Sequence, residues 1–147
     1  QLKRKYRKPL IVMTPKSLLR HPKCISSIDE ISNGTFMDTI DDKNIIPKNA
    51  KRIVLCSGKI YYELIEKRDK LKNTNVAIIR VEQLFPLNID FIDKLYKKYN
   101  KSEIFWVQEE PENMGAWTFI LSKLGYRVET PAGVIGTVAQ ILESLLL

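Results

Sequence analysis

The sequence predicts an α/β fold, a mostly parallel sheet with helices on both faces. Three short apolar runs carry that expectation: Arg52–Cys56 (RIVLC), Val76–Val81 (VAIIRV) and Ile104–Gln108 (IFWVQ). Their apolar character is continuous rather than alternating, the pattern of strands buried on both faces. Between them lie stretches whose apolar residues recur at helical spacing, joined by short loops. Such strand–helix alternation builds a parallel sheet through right-handed crossovers.

The elements follow in order. Pro9–Thr14 (PLIVMT) is another continuous apolar run, closed by Pro15, and is expected to form a buried strand. Lys16–Arg20 is expected to make a helical turn that Pro22 breaks. From Ile25 to Lys51 the pattern is weak, and Asn33-Gly34, Asp41-Asp42 and Pro47 are turn signals. That stretch reads as a long ordered linker. After the strand at 52–56, Ser57-Gly58 makes a tight turn with Ser57 as candidate N-cap. Ile60–Lys72 carries apolar residues at 60, 61, 64, 65 and 71, an amphipathic helix. Leu84–Leu87 contains a proline turn. Asp90–Tyr99 places Ile92, Leu95, Tyr96 and Tyr99 on one face. Asn113–Leu124 is expected to be a helix with Trp117, Ile120, Leu121 and Leu124 inward, followed by a short strand at Tyr126–Glu129 and a helix at Ile135–Leu146.

A chain of 147 residues is long enough for one compact core, and 44% hydrophobic with 28% charged residues is ordinary for a globular domain. No apolar run approaches the ~20 residues of a membrane span, so no membrane association is expected. The basic start, Gln1–Lys8, lacks the apolar region of a signal peptide. The net charge of +7 is unevenly placed. Lys3, Arg4, Lys5, Arg7, Lys8, Lys16, Arg20 and Lys23 precede residue 25 with no acidic side chain among them, and the remainder is nearly neutral. A nucleic-acid surface spreads its charge into a groove with interleaved aromatics. One basic segment ahead of a neutral domain does not fit that description, and no nucleic-acid partner is expected. Cys24 and Cys56 have no CxxC spacing, and Cys56 reads as a small buried core residue.

Three places could carry chemistry. Ser57-Gly58-Lys59 sits where a strand meets a helix, where free N–H groups and the helix dipole favour an anion. It lacks the first glycine of GxxxxGK[ST], so an ordinary βα turn is the preferred reading. Glu109-Glu110 follows the third strand at the carboxyl edge, where open α/β sheets place ligands. Paired carboxylates can do acid–base work, but helix capping by the acidic EEPEN stretch is preferred. His21 is the sole histidine, so a catalytic triad or zinc site lacks partners, and a surface or interface contact is expected. No GxGxxG fingerprint appears. The residues alone describe a soluble α/β domain without a self-contained active site. Lys16, Arg20, Ser57 and Lys59 are the candidate contacts for an anionic effector or an interface.

Five segments add to this reading: RKPLIVMTPKSLLRHP (7–22), SNGTF (32–36), KRIVLCSGKIYYELIEKR (51–68), VAIIRVEQLFPL (76–87) and FWVQEEPENMGAW (105–117). They cover nearly half the chain, and in order and spacing the chain resembles the E1 component of 2-oxoglutarate dehydrogenase. The resemblance implies the C-terminal domain fold of transketolase-like thiamine enzymes. It implies that residues 1–21 are the last strand of a preceding pyrimidine-binding domain and the start of a linker, 22–50 the linker, and 51–147 the C-terminal domain. Gly125–Gly133 departs from the family, which normally ends in a longer pattern containing a histidine, and Lys3–Tyr6 is shortened relative to a basic helix.

For the whole enzyme the resemblance implies thiamine diphosphate and Mg²⁺, decarboxylation of 2-oxoglutarate, and transfer of the succinyl unit to a lipoyl group of E2. The implied partners are the remaining E1 domains, a second E1 copy, the E2 dihydrolipoyl succinyltransferase and E3. The implied compartment is the bacterial cytoplasm, or the mitochondrial matrix in a eukaryote. The family's metal-binding GDG…N motif and activating glutamate lie upstream, and this chain has no GDG. The chain alone is therefore expected to bind no cofactor and to be inactive, contributing packing, dimer contacts and regulation. Two alternatives are the equivalent domain of a pyruvate-type E1 or transketolase, and a free-standing nucleotide- or acyl-CoA-binding module. The second would need a complete N-terminus, whereas Gln1 is not Met.

Overall fold

The computed structural model describes residues 5–100, 102–111 and 113–125, with the strand backbone at 128–129. The chain divides into two compact units, Gln1–Gly34 and Thr35–Leu147.

In the first unit Pro9–Thr14 is not a strand. Leu10 through Met13 are all exposed, Met13 at 92%. The expectation of a strand buried on both faces is thus corrected. An apolar run becomes such a strand only where neighbours take up its N–H and C=O groups, and among the described residues none does. Lys16–Arg20 forms the expected turn, a 3₁₀ helix followed by His21 and Pro22. The supposed linker holds a further element, helix α1 (Ile28–Asn33). Ser27 Oγ accepts from the Glu30 N–H, and the Glu30 carboxylate accepts from the Ser27 N–H. That reciprocal pair is a capping box.

Among the described residues the second unit contains a five-stranded sheet in the order β1-β3-β2-β4-β5. Its strands are β1 (Thr39–Ile40), β2 (Arg52–Cys56), β3 (Val76–Val81), β4 (Glu103–Val107) and β5 (Val128–Glu129). All neighbours are parallel except β1, which runs antiparallel to β3 with Thr39 opposite Val81. The helices are α2 (Ile60–Leu71), α3 (Ile89–Lys98) and α4 (Trp117–Leu124).

Two cores explain the continuous apolar runs. Ile53, Leu55, Ala77, Ile79, Val81, Ile104 and Trp106 face one side, against Ile92, Leu95 and Tyr99 of the α3 region and Trp117, Ile120 and Leu124 of α4. Val54, Cys56, Val76, Ile78, Phe105 and Val107 face the other, against Ile60 and Leu64 of α2. Strand residues alternate between faces, and helices cover both, so every position is apolar. The α/β class with helices on both faces is what the sequence implied.

Three local expectations are corrected. Ser57 is not the cap of α2: Gly58 takes a φ of +77°, and the extra turn makes Lys59 the N-cap residue, without a side-chain cap bond. Leu121 is exposed, because the inward face of α4 runs through Trp117, Ile120 and Leu124, and a residue next to Ile120 is rotated about 100° from it. Leu71 is likewise exposed at the end of α2. The expected helix at Ile135–Leu146 lies outside the described residues.

Candidate functional site at the carboxyl edge of the sheet

β2, β3 and β4 end together at Cys56, Val81 and Val107, so the loops beginning at Ser57, Glu82 and Gln108 share one edge. Ser57 is half-buried in the first of them. Lys59 Nζ lies 2.7 Å from Glu109 Oε1 and 3.8 Å from Glu63 Oε1. The hydrogen bond and charge of Glu109 hold the Lys59 ammonium above its usual value. The cation expected to meet an anion therefore already meets two carboxylates and ties the β2 loop to the β4 loop. Lys16 and Arg20 belong to the first unit, Ser57 and Lys59 to the second.

Glu109 and Glu110 do not cap a helix. The N-cap of α4 is Ala116, with no side-chain cap bond and no acidic residue in the first turn. What organises this loop is Gln108, which sequence reasoning passed over. Its Nε2 donates to the carbonyls of Glu110, Pro111 and Met114, at 3.1, 3.2 and 2.7 Å. Its Oε1 accepts from Trp106 Nε1 at 2.8 Å. Gly115 closes the loop with a φ of +67°, and a Cβ there would come within 3.0 Å of the Gln108 and Glu110 side chains. The positive φ favours glycine there, and any larger residue would also have to displace those side-chain ends.

The β3 loop is fixed in a similar way. Glu82 and Gln83 donate their N–H groups to the Asp38 carbonyl at 2.8 and 3.0 Å. Asn88 caps α3 through the Phe91 N–H and donates to Asp38 Oδ2 at 2.8 Å. Arg80 stacks over Tyr61 at 4.5 Å and pairs with Glu82 at 2.8 Å.

At the opposite edge, a charged pair is buried. Arg68 donates to Asp42 Oδ2, and their side chains are 3% and 4% exposed. The same carboxylate oxygen accepts from the Ile78 N–H at 2.9 Å, and Oδ1 accepts from the Asn44 N–H at 2.9 Å. β1 is only two residues long, so it leaves the outer edge of β3 bare at Ile78. Asp42 occupies that edge. Tyr99 Oη donates to Asp41 Oδ1 at 2.7 Å and to the Asp42 carbonyl at 3.2 Å. Burial, then the bond to Asp41, pushes the phenol well above its usual range. Burial does the same to the Cys56 thiol, which suits the core role read from sequence. His21 lies in the first unit, its Nδ1 accepting from the Lys23 N–H at 3.2 Å. Among the described residues no three His, Cys, Asp or Glu side chains are grouped to hold a metal.

Among the described residues the arrangement is one of tied loops and paired charges. Comparison with known proteins agrees with the sequence segments quoted above. The chain is 50% identical over 121 residues to the 2-oxoglutarate dehydrogenase E1 component of Rickettsia felis, covering 80% of this chain and 12% of that protein. It is 49% identical over 116 residues to the protein of that name in Haemophilus influenzae, covering 78% and 12%. With that of Brucella abortus (strain S19) it shares 46% over 131 residues, covering 82% and 13%. The chain thus spans about an eighth of the length of the curated relatives it matches. The family model described as 2-oxoglutarate dehydrogenase C-terminal matches residues 25–137, most of the chain, and the chain belongs to that family.

Proposed function

We propose that this chain is the C-terminal part of a 2-oxoglutarate dehydrogenase E1 component and that it supplies packing and dimer contacts rather than the catalytic centre. The carrying observation is the match of residues 25–137 to a family model described as C-terminal, together with the match of most of the chain to about an eighth of much longer relatives. The whole enzyme decarboxylates 2-oxoglutarate and passes the succinyl unit to a lipoyl group on E2, working with E3. The thiamine diphosphate and Mg²⁺ implied for it do not fit these residues. There is no GDG run in the sequence; Asp41, Asp42 and Glu109 are held by Lys98, Arg68 and Lys59, and among the described residues no three acidic, histidine or cysteine side chains are grouped to hold a metal. Residues 1–21 are read as belonging to the preceding domain, a reading supported by the exposed apolar run at Leu10–Met13.

Calorimetric titration of the 147-residue chain with thiamine diphosphate and Mg²⁺ is expected to give no metal-dependent heat. Micromolar, metal-dependent binding would place the cofactor site here and refute the assignment. Release of CO₂ by the longer polypeptide is expected with 2-oxoglutarate. Release with pyruvate instead would favour the pyruvate-type alternative.

For Lys59 the interface role is preferred over an anionic effector, because Glu109 already holds its charge. Lys59→Glu in the longer polypeptide is expected to impair assembly, as the new carboxylate would face those of Glu63 and Glu109. Normal assembly and basal turnover, with loss only of a nucleotide or acyl-CoA response, would assign Lys59 to an effector site.

A further inference from the structure

We propose that the carboxyl edge of this sheet is a docking surface for the upstream body of the same, longer polypeptide. The proposal rests on the reading that the chain is the C-terminal part of a longer E1, and it names the surface used.

Beside its paired charges this edge exposes large apolar side chains. In the second unit Phe85 is 80% exposed, Phe36 72%, Met114 61% and Met37 51%. Phe85 and Met114 lie on the loops after β3 and β4. Phe36 and Met37 reach the same edge, because β1 runs antiparallel with Thr39 opposite Val81, so the residues before Thr39 extend past the end of β3. Ile46, Leu71 and Leu121 are the other large apolar side chains exposed among the described residues of this unit, and none of them lies on those loops. Aromatic and methionine side chains are the types that interface cores collect, and exposed apolar side chains gathered at one edge of a folded unit point to a contact site.

These side chains are presented, not left over. Leu84 and Leu87 pack into the core on either side of Phe85 and Pro86. Gln83 Nε2 donates to the Pro86 carbonyl at 3.1 Å, and Phe85 rests edge-on against Phe119 with ring centroids 6.4 Å apart. Met114 projects from the loop whose carbonyls Gln108 holds. Asp38, next to Met37, accepts from the N–H groups of Glu82 and Gln83. A loop whose backbone is pinned while its apolar side chains face outward has its ordering cost met before association.

Where the chain enters identifies the occupant. The second unit begins at Thr35, and Phe36–Asp38 lead into β1 from the carboxyl edge. The relatives carry roughly seven times more chain than the matched part, and the matching family model is a C-terminal one. That mass joins this unit through the chain ahead of Thr35. A covalent connection raises its effective concentration at this unit above that of a free partner.

The test is amide hydrogen exchange of the 82–88 loop and of the loop around Met114, in the 147-residue chain and in the longer polypeptide. At least about tenfold slower exchange is expected in the longer polypeptide, unchanged on hundredfold dilution. Equal exchange in both would overturn the proposal. Protection that disappears on dilution would do so too, since the occupant would then be a second copy. Phe85→Ser should remove the protection while leaving the melting temperature of the 147-residue chain unchanged, because Phe85 is exposed there. Retained protection in Phe85→Ser would also overturn it. The assay of 2-oxoglutarate decarboxylation is separate: a polypeptide that shows protection but decarboxylates another acid would fail the functional reading and leave the docking surface standing.

Discussion

Asp42→Ala should be among the most damaging single substitutions in the sheet unit, costing about 3–5 kcal/mol. Removing this carboxylate strands a guanidinium whose side chain is 3% exposed and leaves it the Val76 carbonyl, which accepts from it at 3.3 Å. It also unpairs the Ile78 N–H at the outer edge of β3, and a buried donor left without a partner costs about 1–3 kcal/mol of that total. A domain of this size is typically stable by only about 5–15 kcal/mol, so the loss should be visible as a large drop in urea midpoint, followed by circular dichroism. Replacing both partners with apolar residues, Asp42→Leu with Arg68→Met, should cost less than Asp42→Ala alone, since no charge is then left buried. A midpoint for Asp42→Ala within about 1 kcal/mol of the parent would show that the edge of β3 tolerates exposure.

Trp117→Ala is expected to cost about 3–5 kcal/mol. Trp117 is 7% exposed at the start of α4 and belongs to the larger core, with Ile120 and Leu124 on the same helix face. An alanine there leaves a cavity the size of an indole between α4 and the sheet. Leu121→Ala, one turn along but on the outer side, serves as the comparison and should stay below about 1 kcal/mol. Similar midpoints for the two variants would contradict the placement of Trp117 in the core.

The parallel strands were legible because burial on two faces leaves an unmistakable trace, an apolar run without alternation. The helices were legible from their spacing, to within a residue or two for α2 and α3. β1 escaped because two residues carry no periodicity. Its pairing depends on β3, some forty residues later. Asp42 escaped for a related reason. A charged residue in a turn-like stretch reads as solvated, and only the fold brings Arg68 across 26 positions to meet it. The run at 9–14 shows the opposite failure: its composition is that of a buried strand, yet what makes a strand is a neighbour. At the carboxyl edge the sequence located the loops but not their wiring. Glu109 was weighed as an acid or a cap and proves to be the partner of Lys59. Gln108 gave no motif, although its amide holds the loop.

The order of the strands has a consequence for how such a sheet comes into being. Among the parallel strands β2 is first in the chain and central in the sheet, and β3 and β4 take its two flanks. β5 then adds to the outer side of β4. Among the described strands, no later one has to be wedged between two that have already paired. As the chain leaves the ribosome the sheet can thus grow outward by accretion alone, each new strand meeting a bare flank already in place. Insertion would require a formed ladder to reopen, and long-range pairing is already the slow part of building parallel sheets. Only β1, synthesised before β2, must wait for β3 to arrive, and Asp42 with it.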